Sequence, residues 1–487
     1  MPGDAATSPG PEPENRTRGA RWLQARGHKL AAKAPREQRP YIASNRGQPV
    51  CCLKGASYAE PFHVLIIGGG IGGLTLAQGL KRAGISASVY ERDRTLTDRL
   101  QGYRVHISPT GALALHECLP PHLFEVFDRT CGALNTAVRF FTENMHLLLA
   151  FDGDFALSTD PVARHRSASR ITLRQVLLAE LDNVHFGKTF QRYEEHGGRI
   201  TAYFEDGTSA EGDVLVAADG GGSRVRRQFL PDAQRVDTGV VGIAGKIFLD
   251  TARDKIARPL LDGISLVAAR GGLGLFVAIQ EMTGGVIGSF GGNEPALAGS
   301  GNLYENTRSY LMWALSARRQ KFGLTDVEQA DNAALAAAAT DSMAGWSHAF
   351  RDLVGLADPT TISCLPIRTS VPVAPWRTGR ITLLGDAIHS MTPYRGIGAN
   401  VAIKDAARLK RALVAAYRGE RDLVEAIGDY EAGMLDYGFR AVRNSLKAMH
   451  QTVTDSLSAL MVSRLTLRAI NVLPPVKRIV AKRLGEE

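Results

Sequence analysis

Cysteine is scarce in this 487-residue sequence: Cys51, Cys52, Cys118, Cys131 and Cys364 make an odd set with no C-x-x-C spacing. That argues against a disulfide framework and against the common structural zinc signatures, so no metal site is expected and a reducing, cytoplasmic setting fits best. Long apolar runs are missing too. No stretch approaches the ~18 residues a transmembrane helix needs. No short apolar core follows an N-terminal charge, as a secretory signal would require. The formal net charge of +9 is absent from the body of the chain. Residues 1–62 carry ten Lys or Arg against five Asp or Glu, and residues 456–487 carry six against two, which leaves 42 of each between them. A nucleic-acid-binding body would be expected to show a basic excess, so no nucleic-acid partner is expected.

What is present is a globular composition, 44% hydrophobic and 22% charged, behind an N-terminal stretch rich in Pro, Gly, Ala and Arg. Residues 1–60 read as a disordered extension. Chemistry begins at Phe62. Val64 to Ile67 form a short apolar run suited to a buried strand. Gly68, Gly70 and Gly73 then satisfy G-x-G-x-x-G, and Leu74, Ala77, Leu80 and Lys81 continue at helical spacing. One glycine permits the tight turn, the next lets backbone approach a pyrophosphate, and the third lets helix and strand pack closely. The pyrophosphate meets free amides and the positive end of the helix dipole. Glu91, eighteen residues past Gly73, ends the next apolar run with Arg92 beside it. A carboxylate there accepts hydrogen bonds from an unphosphorylated ribose, which indicates FAD or NAD as the resident ligand.

Two further strand-to-glycine junctions follow. In DVLVAADGGGSRVRR an apolar strand ends at Asp219-Gly220, and in RITLLGDAIHSMTPYRGIGANVAIKDAARL the strand Ile381–Leu384 runs into Gly385-Asp386. Pro393, a turn at Gly396 and Gly398, and a helix beginning Ala399-Asn400 complete the third motif.

With these motifs in this order, the chain resembles the class A flavoprotein monooxygenases, the p-hydroxybenzoate hydroxylase-like family, over roughly residues 63–415. The resemblance implies a bound FAD, NADPH or NADH as co-substrate, and O2 as oxidant. The product would be a hydroxylated or epoxidised aromatic, polyketide-like or terpenoid small molecule, formed through a flavin C4a-hydroperoxide. It also implies residue roles. Asp386 would bond the ribityl chain, Pro393 would face the ring, and Gly396 to Asn400 would lie against it. Asp219 and Gly220, with Ser223 and Arg226, match the family's D-G motif. Arg170 occupies a flavin-contacting arginine position, while Arg174, one turn later, reads as solvent-facing. Tyr103 and Arg104 depart from the small residues usual near the flavin. Since the flavin is the oxygenating agent, no catalytic residue can be named, and His389 reads as a packed motif residue.

The implied architecture is an α/β fold: a Rossmann-like FAD-binding domain (61–130, 166–235 and 366–420) with an inserted mainly-β substrate domain (131–165 and 236–365) and C-terminal helices (421–487). Strands are expected at Ala137–Thr142, Val240–Phe248, Ile264–Ala268 and Val286–Phe290, and a helix at 326–340. The last segment carries six basic residues and no acid between 456 and 485, so peripheral contact with an anionic membrane competes with simple packing on the body; Pro474-Pro475 should divide it. The oligomeric state stays open. An FAD-dependent reductase of isoprenoid double bonds and a non-catalytic flavin-binding protein remain alternatives. A flavin halogenase is disfavoured because the four tryptophans are isolated, with no W-x-W-x-I-P motif.

Overall fold

The structure, a computed structural model, describes residues 62–95, 104–133, 137–152, 160–282 and 308–486. The expected strand Val286–Phe290, the extension 1–60 and the loop residue Tyr103 lie outside the described residues.

Two sheets organise the chain. The first is wholly parallel, with strands in the order Ile381–Leu383, Val214–Ala217, His63–Ile67, Ser86–Tyr90 and Val184–His185. Val64 to Ile67 and Val214 to Ala217 are buried throughout, the uninterrupted apolar pattern of strands covered on both faces. Helix Ile71–Arg82 packs against the long helix Gly398–Tyr417, which in turn packs on Pro109–Cys118 and Leu423–Thr452. This is a Rossmann-like layer.

The second sheet has seven strands in a mixed, mostly antiparallel arrangement: Ser363–Ser370, Arg235–Phe248, Tyr310–Arg318, Leu273–Gln280, Gly263–Ala269, Ala137–Phe141 and Leu147–Phe151. Three expected strands are present, and the one at 240–248 begins earlier, at Arg235. Alternation divides its faces. Ile243, Ile247, Leu311, Trp313, Leu315, Val277 and Val267 pack beneath helices Asn332–Ser342 and His348–Leu356, while Met312, Ala314, Ser316, Ile264 and Leu266 stay half-buried on the other face. The alanine-rich helix starts at Asn332, not 326, because the Asp331 side chain accepts the Ala334 N–H at 2.8 Å and caps it there. Pro474 separates helix Leu457–Val472 from Pro474–Glu486, as proline at a helix start dictates.

Trp313 is fully buried at the centre of the second sheet's core. Trp313→Ala is expected to lower the unfolding free energy by about 3–5 kcal/mol, measured by urea denaturation followed by circular dichroism.

Candidate active site

All three glycine-acid junctions emerge at the carboxyl edge of adjacent parallel strands, where open α/β sheets bind ligands. Ala218 donates its N–H to Ile67 O at 2.7 Å, and Leu384 donates to Ala217 O at 3.0 Å, so the strand ends before Gly68, Asp219 and Asp386 lie side by side.

The glycines of the first turn have different physical reasons. Gly68 has φ +115°, and a Cβ there would lie 2.3 Å from Ala218 O. A Cβ on Gly73 would lie 2.1 Å from Gly68 O. Both positions are closed by the protein itself. Gly70 is the opposite case: its φ of −81° suits any residue, and nothing lies within 4 Å of where its Cβ would stand. The bare backbone at Gly70 therefore faces open space at the start of helix Ile71–Arg82, where unpaired amides favour an anion.

Glu91 is buried, and its Oε2 accepts the Gly69 N–H at 2.7 Å while Oε1 accepts the Asp93 N–H at 2.9 Å. Each oxygen retains acceptor capacity for a further donor. Arg92 stands exposed beside it. Arg174 corrects the reading of a solvent-facing side chain: its Nε donates to Gly69 O at 3.0 Å, and its Nη2 lies 3.7 Å from Glu91 Oε2 and 3.6 Å from Asp93 Oδ2. It braces the glycine turn and its acid. Arg170 begins the same helix and is exposed.

At the second junction, Asp219 Oδ2 accepts the Arg224 N–H at 2.7 Å, whereas Oδ1 is buried without a partner. Burial raises this carboxyl above its ordinary value, against the hydrogen bonds from Ser223 and the Arg224 amide. An orphaned buried acceptor calls for a donor such as a ligand hydroxyl or amide. Gly220 follows it half-buried, and Ser223 caps the next helix by accepting the Arg226 N–H at 2.9 Å. Arg226 is buried and joins the second junction to the third, donating to Ala387 O at 2.7 Å and to Gly221 O at 3.1 Å.

At the third junction, Asp386 is the one exposed residue in the run from Ile381 to Ser390. Its loop is fixed from beneath by Asp405, a wholly buried carboxylate on helix Gly398–Tyr417. Asp405 Oδ2 accepts the Gly385 N–H at 2.7 Å and lies 2.6 Å from His389 Nε2, and Oδ1 accepts the Tyr437 hydroxyl at 2.6 Å. His389 is fully packed. Burial would lower its pKa, but the Asp405 charge and hydrogen bond leave it raised. Pro393 and Gly396 are exposed, with Gly396 at φ +63° facing open space, and Gly398 and Ala399 are half-buried. The Asn400 side chain is committed to the protein: Oδ1 accepts the Ser108 N–H at 2.8 Å, and Nδ2 donates to His106 O at 2.8 Å. What Asn400 offers a ligand is its backbone. Its amide clamps strand Arg104–Ile107 beside the start of helix Gly398–Tyr417.

That strand connects the junctions to the second sheet. Arg104 Nη1 donates to Ile279 O at 3.2 Å, Ser167 bonds the Gln280 side chain, and Tyr394 packs against Val240 and Ile367. Burial lowers Arg104 to about 10 and His106 to about 3, the neighbouring His165 and Arg104 adding to the latter effect. Lys246, lowered by burial, holds its Nζ 4.8 Å from the Tyr310 ring centroid on the half-buried sheet face. Arg104 and Tyr394 thus abut the second sheet, whose half-buried face carries Met312, Ala314 and Lys246, of apolar and cationic character. A separate surface cleft of about 390 Å³, lined by Arg82, His116, Glu117, Lys410 and Arg418, opens where helix Ile71–Arg82 ends, away from these junctions. Among the described residues no group of three or more His, Cys, Asp or Glu side chains is placed to hold a metal ion.

A protein of Photorhabdus luminescens assigned as an FAD-containing monooxygenase has a crystal structure to which this chain is 33% identical, with a TM-score of 0.69, covering 80% of this chain and 98% of that one. The chain belongs to the class A flavoprotein monooxygenase family. Its residues 304–445 match the model of an FAD binding domain, and 66–130 that of an NAD(P)-binding Rossmann-like domain. The HpxO protein of Klebsiella pneumoniae, in a structure with FAD and uric acid, is 25% identical, with a TM-score of 0.68 over 87% of this chain and 97% of that one. The dual O-methyltransferase/FAD-dependent monooxygenase elcB of Phaeosphaeria nodorum is 30% identical over 396 residues, 75% of this chain and 42% of that protein. The chain spans less than half the length of such dual-function relatives. FAD is the cofactor of this family, and the open turn at Gly70, the orphaned Asp219 oxygen and the exposed Asp386 carboxylate fit it.

Arg174, Asp405 and Asn400 are the important side chains not singled out as structural ties by the motifs. Asp405 left a trace: it stands at helical spacing among Val401 and Leu409 on a buried stripe, where a charge requires a reason.

Two outcomes follow from this geometry. Gly70→Ala should leave the stability of the FAD-free protein unchanged within about 0.5 kcal/mol while weakening FAD binding about tenfold or more, read by thermal melting and fluorescence titration. The His389 pKa is raised in the fold, so its stabilising contribution is complete below the ordinary 6.5 and is lost as pH rises through the raised value. His389→Gln should therefore flatten the decline in unfolding free energy above pH 6.5, measured by urea melts across that range.

Proposed function

We propose that this protein is an FAD-dependent monooxygenase that uses NADPH or NADH and O2 to hydroxylate or epoxidise an aromatic, polyketide-like or terpenoid small molecule. The observation that carries the reading is the meeting of three glycine-opened strand ends at one sheet edge, with the neighbouring strand tied to a second sheet through Arg104 and Ile279. When bound, FAD would supply the chemistry of O2 activation, with two electrons drawn from NADPH or NADH, one atom of O2 passing to substrate and the other leaving as water. The chain's tasks are to bind, orient and exclude water.

In this reading Gly68, Gly70 and Gly73 and the helix start hold the pyrophosphate, and Glu91 accepts from the adenosine ribose, with Arg92 and Arg170 as flanking cations. Asp219 and Gly220 close the second side, Asp386 accepts from the ribityl chain, and Pro393, Gly396, Gly398, Ala399 and the Asn400 backbone lie against the ring. The positive end of helix Gly398–Tyr417 favours negative charge developing nearby. The substrate domain comprises 131–165 and 236–365, and its half-buried sheet face holds the organic substrate. Arg104 and Lys246 favour a substrate with an anionic or phenolic group. The relatives support the class: one has a structure in complex with FAD and uric acid, and others are fungal proteins named as FAD-dependent monooxygenases.

The test is direct. Purified protein should carry FAD, and substrate-stimulated NADPH or NADH oxidation under 18O-labelled O2 should yield product containing one labelled oxygen. Anaerobic turnover to a reduced product would assign a double-bond reductase instead. Bound FAD with no substrate-stimulated oxidation across aromatic, polyketide and terpenoid panels would assign a non-catalytic flavoprotein.

A further inference from the structure

Eight of the thirteen large apolar side chains exposed among the described residues lie between Leu457 and Ile479. Such a concentration is unlike the scattered exposure normal for a folded surface. Helix Leu457–Val472 has a well-anchored inner side: Leu460 is buried, Arg464 bonds Glu143 and donates to Ala268 O at 3.0 Å, and Asn471 Oδ1 accepts the Ala150 N–H at 3.2 Å. These contacts hold the helix along strand Leu147–Phe151 and set its rotation. At about 100° per residue, Leu457, Met461, Leu465 and Val472 then fall within a stripe about 80° wide on the solvent-exposed flank beside that anchored side, with Arg468 inside it. Leu457 is 60% and Val472 72% exposed. Past the proline break, Val476 and Ile479 continue the apolar exposure in the next helix.

We infer that this outward face is a docking surface for an anionic lipid bilayer. The charge pattern selects the occupant. Segment 456–485 has six basic residues and no acid, and among its described side chains only Arg464 is turned inward to a carboxylate. Arg468 and Arg478 are exposed beside the apolar stripe, and Lys482 and Arg483 follow in sequence. An amphipathic helix that combines aliphatic side chains with Lys and Arg lies in the interface of a membrane bearing negative headgroups. A second copy of this chain is disfavoured, because a two-fold contact through the same face would bring these cations together without an acid to answer them. Among the described residues no helix is long and apolar enough to cross a membrane, so the contact is peripheral. It would hold the enzyme where apolar substrates partition, and it does not depend on the reaction assigned above.

The experiment uses the full chain with sucrose-loaded vesicles of phosphatidylcholine alone or mixed with phosphatidylserine, scored by co-sedimentation. The expected result is binding to the mixed vesicles on the order of tenfold tighter than to phosphatidylcholine alone, weakened by added salt. Leu465→Glu with Val472→Glu, and separately Arg468→Glu with Arg478→Glu, should each abolish the preference while leaving the melting temperature unchanged, since all four side chains face solvent. No binding, equal binding to both vesicles, or binding retained in both variants overturns the inference. So does a wild-type dimer in sedimentation equilibrium that Leu465→Glu with Val472→Glu converts to monomer, which would assign the face to a second copy.

Discussion

The close approach of backbone to backbone at the first strand end governs the geometry of this molecule. Gly68 and Gly73 have no room for a side chain because Ala218 O and Gly68 O lie where a Cβ would stand. That contact draws helix Ile71–Arg82 onto the sheet and sets the neighbouring strand end, with Asp219, directly beside the glycine turn. A pair of larger residues would push the helix outward, and the amides at its start would no longer point to the same place as the two aspartates.

A second constraint acts at the far side of the same edge. Burying Asp405 is costly unless its oxygens are satisfied, and the Gly385 amide, His389 and the Tyr437 hydroxyl together satisfy them. The arrangement ties the loop bearing Asp386 to the two long helices that follow it in the chain. Asn400 does comparable work with a neutral side chain, joining strand Arg104–Ile107 to helix Gly398–Tyr417 through one acceptor and one donor. Arg226 and Arg174 add cationic ties between loop carbonyls. Polar side chains that resemble ligand contacts in a linear motif are thus partly engaged in holding the ligand's surroundings still. This division matters for a flavoprotein, whose cofactor carries the reactive chemistry and whose protein must chiefly keep that cofactor and its substrate in register.

The two sheets bring different properties to the site. The parallel sheet contributes backbone amides and acids at one edge. The mixed sheet contributes a face whose alternate residues are sealed on one side by Trp313 and its neighbours and left half-open on the other. Arg104, reaching Ile279 O, links them.

Local rules made much of this legible in the linear chain. The apolar strands, the glycine turns, the acid at Glu91, the Asp-Gly and Gly-Asp junctions and the proline break at Pro474 each depend on neighbours a few residues away, so sequence alone determined their existence and order. Tertiary structure alone decided which side chains were free. Arg174 turned inward because Gly69 O lay above it, Asn400 was engaged because strand Arg104–Ile107 passed alongside, and Asp405 became a clamp because His389 and Tyr437 met it. It also left the stripe from Leu457 to Val472 facing outward, since Arg464 and Asn471 found partners on distant strands. A spacing rule assigns residues to the same face, but only the partner that packs against the helix determines which face is covered.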